Sequence, residues 1–445
     1  MKRLFLFILP LLFMSGCATI TGYKGDIEEY QSQIYKNDCN FKKDIKAINA
    51  GDDRLYTALK AGFRARACKE YELSNKFFDI AENEYKYNVD LKGIISKTSG
   101  GISSTLLNDN ALDYSGKFYE RGMINLYKAL NFASIGDHAN ARVEFNRALN
   151  RQERAKSYYT DEVLAAKEIF DNKESAYNRA QMDKLSIAFD KSLGSYEIYK
   201  DFINPFITYM AGLYFALESD KKGSELLKES LLMDPQNRQI KKDFELSKSK
   251  FSTPKIWLIY ENGVSSSISE RRIDVPLYLV NDDIYHVGVA LPILTSPKNS
   301  FSNLSINGIK SEPISDMDAV IRTEFSKTSP IIVRKETLRA IAKAALQYNA
   351  SQMEKNSDNN VLTAVFAIYS ALTTRADIRH IPVFPKEFQA VNVPNTGIAT
   401  ISDNQGRKLL NIETNRDKNT IIYVKSLTKS YLVYDKIEFN NYKFK

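Results

Sequence analysis

Few residues of this 445-residue chain belong to the types that usually carry acid–base, nucleophilic or metal chemistry. The three histidines are His138, His286 and His380. There is no HExxH zinc motif, GxSxG nucleophile elbow, Walker loop or paired-cysteine zinc pattern. We therefore predict neither catalytic residues nor a metal site nor a cofactor. An enzyme that uses paired Asp or Glu side chains remains open as an alternative, because such chemistry needs no histidine.

The charged pair Asp377 and Arg379 follows an apolar stretch, residues 361–372, that we expect to form a buried helix. We interpret the pair as a salt-bridged corner that orients the next strand, with a recognition site as the alternative. Asp282 and Asp283 have the ligand type for Ca²⁺, but in this position they are more typical of a hairpin turn. We expect His138 to be solvated in a turn, and we expect the other two histidines to pack within strands.

The N-terminus contains the residue with the clearest covalent chemistry, Cys17. Lys2 and Arg3 precede an apolar run over residues 4–13, which has signal-peptide length and is too short to span a bilayer. The following Met14-Ser15-Gly16-Cys17 resembles the lipobox of bacterial lipoproteins. That resemblance implies a signal peptide over residues 1–16, cleavage before Cys17 and fatty acylation of its thiol. An ordinary secretory signal is the alternative.

The resemblance to lipoproteins also implies a compartment. Ala18 rather than Asp follows the cysteine, which is similar to the outer-membrane default of Gram-negative lipoproteins. We therefore expect a periplasm-facing, lipid-anchored protein, with residues 17–25 as a linker. If Cys17 is acylated, Cys39 and Cys68 remain as a pair in a compartment that permits disulfides. The alternative is two separate buried thiols.

Composition argues against nucleic-acid binding. The formal net charge is +8, or +6 once Lys2 and Arg3 leave with the signal peptide. Basic residues are scattered and alternate with acidic ones, which is typical of solvated helix faces. No stretch beyond the signal is long enough to form a transmembrane helix.

Helical signals dominate residues 26–250, and a Gly/Ser/Asn-rich break interrupts them at 98–110. Residues 130–151 reproduce the second half of a tetratricopeptide unit, in which small residues lie where two helices cross and an aromatic residue fills the groove. The residues of this unit are Phe132, Gly136, Ala141, Phe145 and Ala148. Weaker copies lie at residues 62–82 and 207–235. We therefore predict an irregular, tetratricopeptide-like helical repeat array, with a generic helical bundle as the alternative.

The pattern changes near Pro254. Alternating Val, Ile, Tyr and Phe predict strands over most of residues 254–445, with helices inserted at about 315–375. We expect a break before Pro330 and a small antiparallel sandwich. The predicted fold class is thus α+β, with the helical array followed by a smaller β-rich α+β domain.

Four stretches, taken in order, resemble an uncharacterised family of bacterial tetratricopeptide-containing outer-membrane lipoproteins. They are residues 106–148, 275–294, 332–348 and 376–397. At the last of these the family tends to read Ala-Asp-Thr-Arg-Ser-Trp. Ala376, Asp377 and Arg379 match this pattern, whereas Ile378, His380 and Ile381 depart from it. The family has no established catalytic residues to transfer, and similar lipoproteins are grouped with regulators of peptidoglycan synthases.

These expectations favour a non-catalytic adaptor of the cell envelope that binds periplasmic or outer-membrane protein partners. The first alternative is an envelope enzyme acting on glycan or peptidoglycan through paired carboxylates. The second is a structural lipoprotein of a secretion or motility apparatus. An accessible carboxylate pair in a deep cleft would favour the enzyme, whereas a groove of Tyr, Asn and Lys would favour the adaptor.

Overall fold

The computed structural model of the protein describes residues 23–86, 113–154, 204–249, 251, 253–279, 283–354, 370 and 374–439. Helices occupy the described chain up to Lys248, and strands dominate beyond Lys255. The predicted α+β class, with N-terminal helices before a β-rich region, is confirmed. None of the described helices is both long and apolar enough to cross a bilayer.

The described N-terminal region consists of short and medium helices. In chain order they are α1 Lys24–Tyr35, α2 Lys42–Ala50, α3 Arg54–Ala67, α4 Tyr71–Glu84, α5 Phe118–Ser134, α6 from 138 to 154, α7 Pro205–Leu217, α8 Lys221–Met233 and α9 Arg238–Lys248.

Three helical pairs, α3–α4, α5–α6 and α7–α8, are joined by turns of the same length and shape. The middle residue of each three-residue turn has positive φ, at Lys69 (62°), Gly136 (79°) and Ser219 (61°). The next amide in each turn bonds back to a carbonyl five residues earlier, as from Asp137 to Phe132 at 2.9 Å. This is the left-handed helix end that reverses a chain tightly.

Close packing within the pairs depends on small residues. A Cβ added at Gly62 would lie 2.5 Å from the Phe78 ring. In the second pair Ala141, Phe145 and Ala148 are fully buried. Phe132 is only partly buried and packs against the same core.

A buried lysine connects the first pair to the second. Lys128 on α5 is 1% exposed. Its ammonium lies 2.7 Å from Asp79, 2.5 Å from Glu82 and 3.1 Å from Glu144, so α4, α5 and α6 share one charge cluster. A buried cation is tolerated only when it is paired in this way.

The β-rich region contains the remaining described elements. They are β1 Lys255–Asn262, β2 Ile268–Leu279, β3 Asp283–Leu294, β4 Leu304–Ile306, β5 Ile309–Lys310, β6 Glu312–Asp316, α10 Met317–Glu354, β7 Glu387–Pro394, β8 Ile398–Asp403, β9 Lys408–Glu413, β10 Asn419–Thr428 and β11 Tyr431–Phe439.

Among the described strands, two sheets pack face to face. A five-stranded sheet has the order β11-β10-β1-β7-β6, and a four-stranded sheet has the order β5-β4-β8-β9. Ile256 and Leu258 of the first sheet share a cluster with Ile306 and Ile401 of the second. The sandwich was predicted as antiparallel, but β1 pairs with β10 in parallel. The long hairpin β2–β3 forms a separate two-stranded sheet.

The other face of the five-stranded sheet packs on the helices. Trp257 and Ile259 of β1 belong to one continuous core with Phe63, Tyr127 and Phe206. The change near Pro254 is therefore a change from helices to strands within a shared core, and it does not separate two hydrophobic cores.

The inserted helical region differs from prediction in two places. Helix α10 runs unbroken from Met317 to Glu354 and contains Pro330. The proline removes the amide that would bond to the Ser326 carbonyl, and the Ser329 hydroxyl donates to that carbonyl at 3.1 Å instead. Residues 380–385, predicted as strand, form no strand. The predicted apolar helix falls mostly at 361–369, outside the described residues.

Cys39 and Cys68 are joined by a disulfide, with their Cα atoms 5.9 Å apart. It ties the loop between α1 and α2 to the residue that ends α3. Two segments 29 residues apart in sequence are thereby held together.

We predict that replacing both residues, Cys39→Ser and Cys68→Ser, lowers the free energy of unfolding by about 3 kcal/mol, because the unfolded chain regains loop entropy. Denaturant unfolding with and without reductant measures this. Wild type in reductant should match the double variant, and the variant should not respond to reductant. Equal stability of the oxidised wild type and the variant would contradict the prediction.

Candidate functional site

Arg379 is the centre of a buried ionic cluster that includes its predicted partner, Asp377. Its side chain is 1% exposed. The guanidinium binds Asp377 through two bonds, Nε to Oδ1 at 2.9 Å and Nη2 to Oδ2 at 2.8 Å. Its Nη1 donates to Asp53 Oδ2 at 2.7 Å. Burial alone would lower the pKa of Arg379, but the two carboxylates raise it, so the group stays charged.

Two tyrosines enclose this cluster. The guanidinium carbon lies 4.8 Å from the centre of the Tyr23 ring and 5.4 Å from that of Tyr114. The Tyr114 amide donates to the other oxygen of Asp53 at 2.8 Å. Tyr23, which falls inside the predicted linker at 17–25, is thus held against the C-terminal region, and the first helix already begins at Lys24. The geometry matches the interpretation as a structural corner, since the charged atoms point at one another.

The histidines are packed rather than solvated wherever their side chains are described. His380 is buried with Nδ1 2.8 Å from the Ile378 carbonyl, and burial lowers its pKa to about 4. His138, expected in solvent, lies with Nδ1 3.1 Å from the Tyr214 hydroxyl. The side chain of His286 and the residue Asp282 lie outside the described part, as does Cys17, whose acylation stays a prediction.

A second buried acid, Glu120, lies at the start of α5. It accepts hydrogen bonds from the Tyr114 hydroxyl at 2.9 Å, the Tyr85 hydroxyl at 3.1 Å and the Lys117 amide at 2.9 Å. Burial raises its pKa to about 7, although the Lys117 amide and charge and the Tyr114 hydroxyl oppose the shift. Such a pKa suits a general acid. The carboxyl is 0% exposed, however, and so cannot touch a substrate in this conformation.

A pocket of about 380 Å³, including its open mouth, lies between α10, β3 and the start of α5. It contains the carboxylates of Glu324 and Asp377. Glu324 accepts hydrogen bonds from the backbone amides of Phe118 at 3.0 Å and Tyr119 at 3.1 Å. Arg379 binds Asp377. Both carboxylates are therefore engaged in holding elements together.

The larger opening is a cleft between helix α3 and strand β11, which we call the α3–β11 cleft. It encloses about 500 Å³, part of which is its open mouth. Its charged lining residues are Arg66, Lys69, Glu261, Lys425 and Asp435. Its hydroxyl-bearing lining residues are Tyr127, Tyr423, Tyr431 and Tyr434.

Most charges of the α3–β11 cleft are paired inside it. Arg66 Nη2 lies 2.6 Å from Asp435 Oδ2, and the Tyr71 hydroxyl donates to the other oxygen of Asp435 at 2.5 Å. Lys425 Nζ lies 2.7 Å from Glu261, which is fully buried. These contacts fix the walls of the cleft and leave its two carboxylates already bound to cations.

Sequence reasoning predicted the Asp377–Arg379 corner and considered a groove of Tyr and Lys, but it did not place the α3–β11 cleft. Arg66 and Asp435 are 369 residues apart in sequence, and no local pattern connects them. Among the described residues, no three His, Cys, Asp or Glu side chains are arranged to hold a metal ion.

Comparisons with protein-family models, with curated proteins and with solved structures found no match for this chain.

We predict that Arg379→Met lowers the free energy of unfolding by about 3–5 kcal/mol, because Asp53 and Asp377 then lose their buried counter-charge. Arg407→Met is the matched control. Its pair with Asp403 has an arginine side chain that is 65% exposed, and its loss should cost at most about 1 kcal/mol. Urea unfolding compares the two. Equal losses would show that the corner is not a stabilising element.

We predict that Glu120→Gln changes how stability depends on pH. The folded pKa of about 7 exceeds the unfolded value of about 4.3, so wild type loses stability as pH rises through that window. A neutral glutamine removes this loss. The variant should therefore gain on the order of 3 kcal/mol relative to wild type between pH 4.5 and 8.

Urea unfolding over that pH range tests the gain. The lowered pKa of His380 acts oppositely, since it removes stability as pH falls from about 6.5 toward 4. Both proteins contain His380, so its effect on the free energy of unfolding cancels when the two are subtracted. A difference that does not change with pH would contradict the prediction.

Proposed function

We propose that this protein is a lipid-anchored adaptor of the bacterial cell envelope, facing the periplasm from the outer membrane, which binds protein partners without catalysing a reaction. The observation that carries the proposal is the repetition of three helical pairs with one turn geometry. Stacked pairs of this kind are typical of repeat proteins that present extended binding surfaces.

A tetratricopeptide-like packing is the finer form of this proposal. The equivalent turn residues Lys69, Gly136 and Ser219 support it, as does the repeated aromatic position at Phe78 and Phe145. The array would be irregular in sequence, because residues 155–203 lie between the second pair and the third. The Lys128 cluster joins the first pair to the second, and the rings of Phe145 and Tyr214 join the second to the third, 4.5 Å apart.

The anchor at Cys17 would hold the folded part beside the bilayer. Tyr23 is the sixth residue after Cys17, and an extended chain over that interval reaches at most about 20 Å. Since Tyr23 contacts Arg379, the corner around Asp377 and Arg379 would lie close to the membrane surface.

The alternative function, an envelope enzyme that uses paired carboxylates, has less support than the adaptor function. In the α3–β11 cleft and in the pocket beside α10, the acidic side chains are bound to cations or amides, as Glu261 is to Lys425 and Glu324 is to Phe118. Regulators of peptidoglycan synthesis are the partner class that the family resemblance implies. A structural role in a secretion or motility apparatus would differ only in the partner.

We predict that Cys17→Ala moves the protein from the membrane fraction to the soluble periplasmic fraction, because acyl chains supply the anchoring free energy. Cys68→Ser, which removes a different cysteine, one that forms the disulfide, should stay membrane-bound. Fractionation with mass spectrometry of the mature N-terminus measures both. A Cys17→Ala protein that stays with membranes would contradict lipid anchoring.

Crosslinking in intact envelopes, followed by mass spectrometry, tests the adaptor function itself. We expect reproducible crosslinks from the helical pairs to an envelope protein, and fewer of them for Cys17→Ala. Turnover of purified glycan strands by the mature protein would overturn the non-catalytic part of the proposal.

A further inference from the structure

Among the described strands, β11 lies at the edge of the five-stranded sheet and has no partner on its outer side. It pairs only with β10 in the five-stranded sheet. No hydrogen bond from described residues outside β10 reaches its backbone. A row of unpaired amides and carbonyls is a template for another strand.

The two edge strands of this sheet, β6 and β11, differ in length and in proline content. The opposite edge, β6, has five residues, contains Pro313 and has a register irregularity. The Asn237 side chain also donates to the Pro313 carbonyl at 2.9 Å. Strand β11 has nine residues and no proline, although its pairing with β10 also has a register shift, between Lys425 and Thr428. The longer, proline-free edge is therefore the more open of the two.

The α3–β11 cleft lies directly beside the open edge. Tyr431, Val433 and Asp435 alternate along β11 and all line the cleft. A strand added at this edge would place every second side chain toward it. Peptide recognition by strand addition uses this arrangement, with main-chain bonds for affinity and adjacent pockets for specificity.

The unpaired groups of the cleft indicate the chemistry of an occupant. Its lining has three cations and two carboxylates, and the carboxylates are already bound to Arg66 and Lys425. Lys69 has no carboxylate within ion-pair distance among the described residues, and its ammonium lies 4.6 Å from the centre of the Tyr434 ring. The exposed Lys429 precedes β11 in the hairpin turn. The mouth therefore carries excess positive charge.

A buried hydroxyl adds a second, independent indication. Tyr431 is 7% exposed, and its hydroxyl has no hydrogen-bond partner in the described part of the chain. A buried donor that has lost its water without gaining a partner is destabilising. A carboxylate or carbonyl oxygen entering the cleft would satisfy it.

We propose that the outer edge of β11 and the α3–β11 cleft bind an extended, acidic peptide segment of a partner protein by strand addition. This names the partner chemistry of the adaptor function and rests on that function. The chain's own last six residues, Asn440 to Lys445, contain two lysines and no acidic residue, so their charge does not complement the cleft.

The test measures binding of a labelled ten-residue peptide of alternating Glu and Val to the mature lipoprotein in detergent, by fluorescence anisotropy. A Lys/Val peptide of the same length should bind at least tenfold more weakly. Lys69→Glu should lower the affinity for the acidic peptide at least tenfold. Lys310→Glu changes an exposed lysine on the other sheet and should leave binding unchanged. Equal binding of both peptides, or no effect of Lys69→Glu, would overturn the acidic specificity.

Two N-methylated versions of the acidic peptide test strand addition. One is methylated at the Glu amides and the other at the Val amides. Only one of these sets faces a neighbouring strand, so we expect the two to differ at least tenfold in affinity. Equal binding of both would overturn strand addition, as would a concentration-dependent dimer of the chain that the peptide cannot dissociate.

The result separates this site from the broader function. Envelope crosslinks of the wild-type protein, together with failure of the acidic peptide to bind that protein, would overturn the β11 site and leave the adaptor proposal standing. Peptide binding to purified protein without any crosslink in envelopes would support the site and contradict the adaptor function.

Discussion

The five-stranded sheet is buried on both faces, and this constraint determines how the rest of the chain is held together. One face packs on the helices and the other on the second sheet, so polar groups that cross either boundary must find partners. Asp243 of α9 shows the consequence. Its carboxylate is fully buried and accepts from Trp257 at 2.8 Å, Asn392 at 2.7 Å and Tyr209 at 2.7 Å, so that neutral donors alone join two helices to two strands.

Because buried charges must be paired, the charged clusters resemble functional sites and yet serve to hold separate elements together. Arg66 with Asp435 and Asp53 with Arg379 each connect α3, or the residue before it, to the C-terminal β-rich region. In each pair the desolvation cost is offset only because a second polar group completes the geometry, Tyr71 in one and Asp377 in the other. Groups used in this way are unavailable for reaction chemistry, which directs attention to the positions where pairing is incomplete.

Local signals predicted most of the elements, and long-range contacts account for what they missed. Runs rich in Val, Ile, Tyr and Phe placed β1, β7, β10 and β11, because such residues favour strands. Parallel pairing of β1 with β10 joins segments about 160 residues apart, as Ile256 with Thr420, and nothing local encodes it. Pro330 misled the prediction of a helix end because the Ser329 hydroxyl replaces the missing amide. The Asp377–Arg379 pair was visible as two charges of opposite sign, but their third partner, Asp53, was not.

The disulfide makes the geometry of the α3–β11 cleft depend on whether the protein is in an oxidising compartment. Cys68 directly precedes Lys69 at the cleft mouth, and Cys39 follows α1, whose Ile34 lines the cleft and whose Tyr35 packs edge-on against Tyr431 at 6.0 Å between ring centres. The bond therefore fixes two walls of the cleft relative to each other. In a reducing compartment that constraint would be absent, and the exposed Tyr35 would have little besides Tyr431 to hold it in place. An exported location thus suits the cleft for the same reason that it suits the disulfide, because oxidation restrains the surface beside the open edge of the sheet.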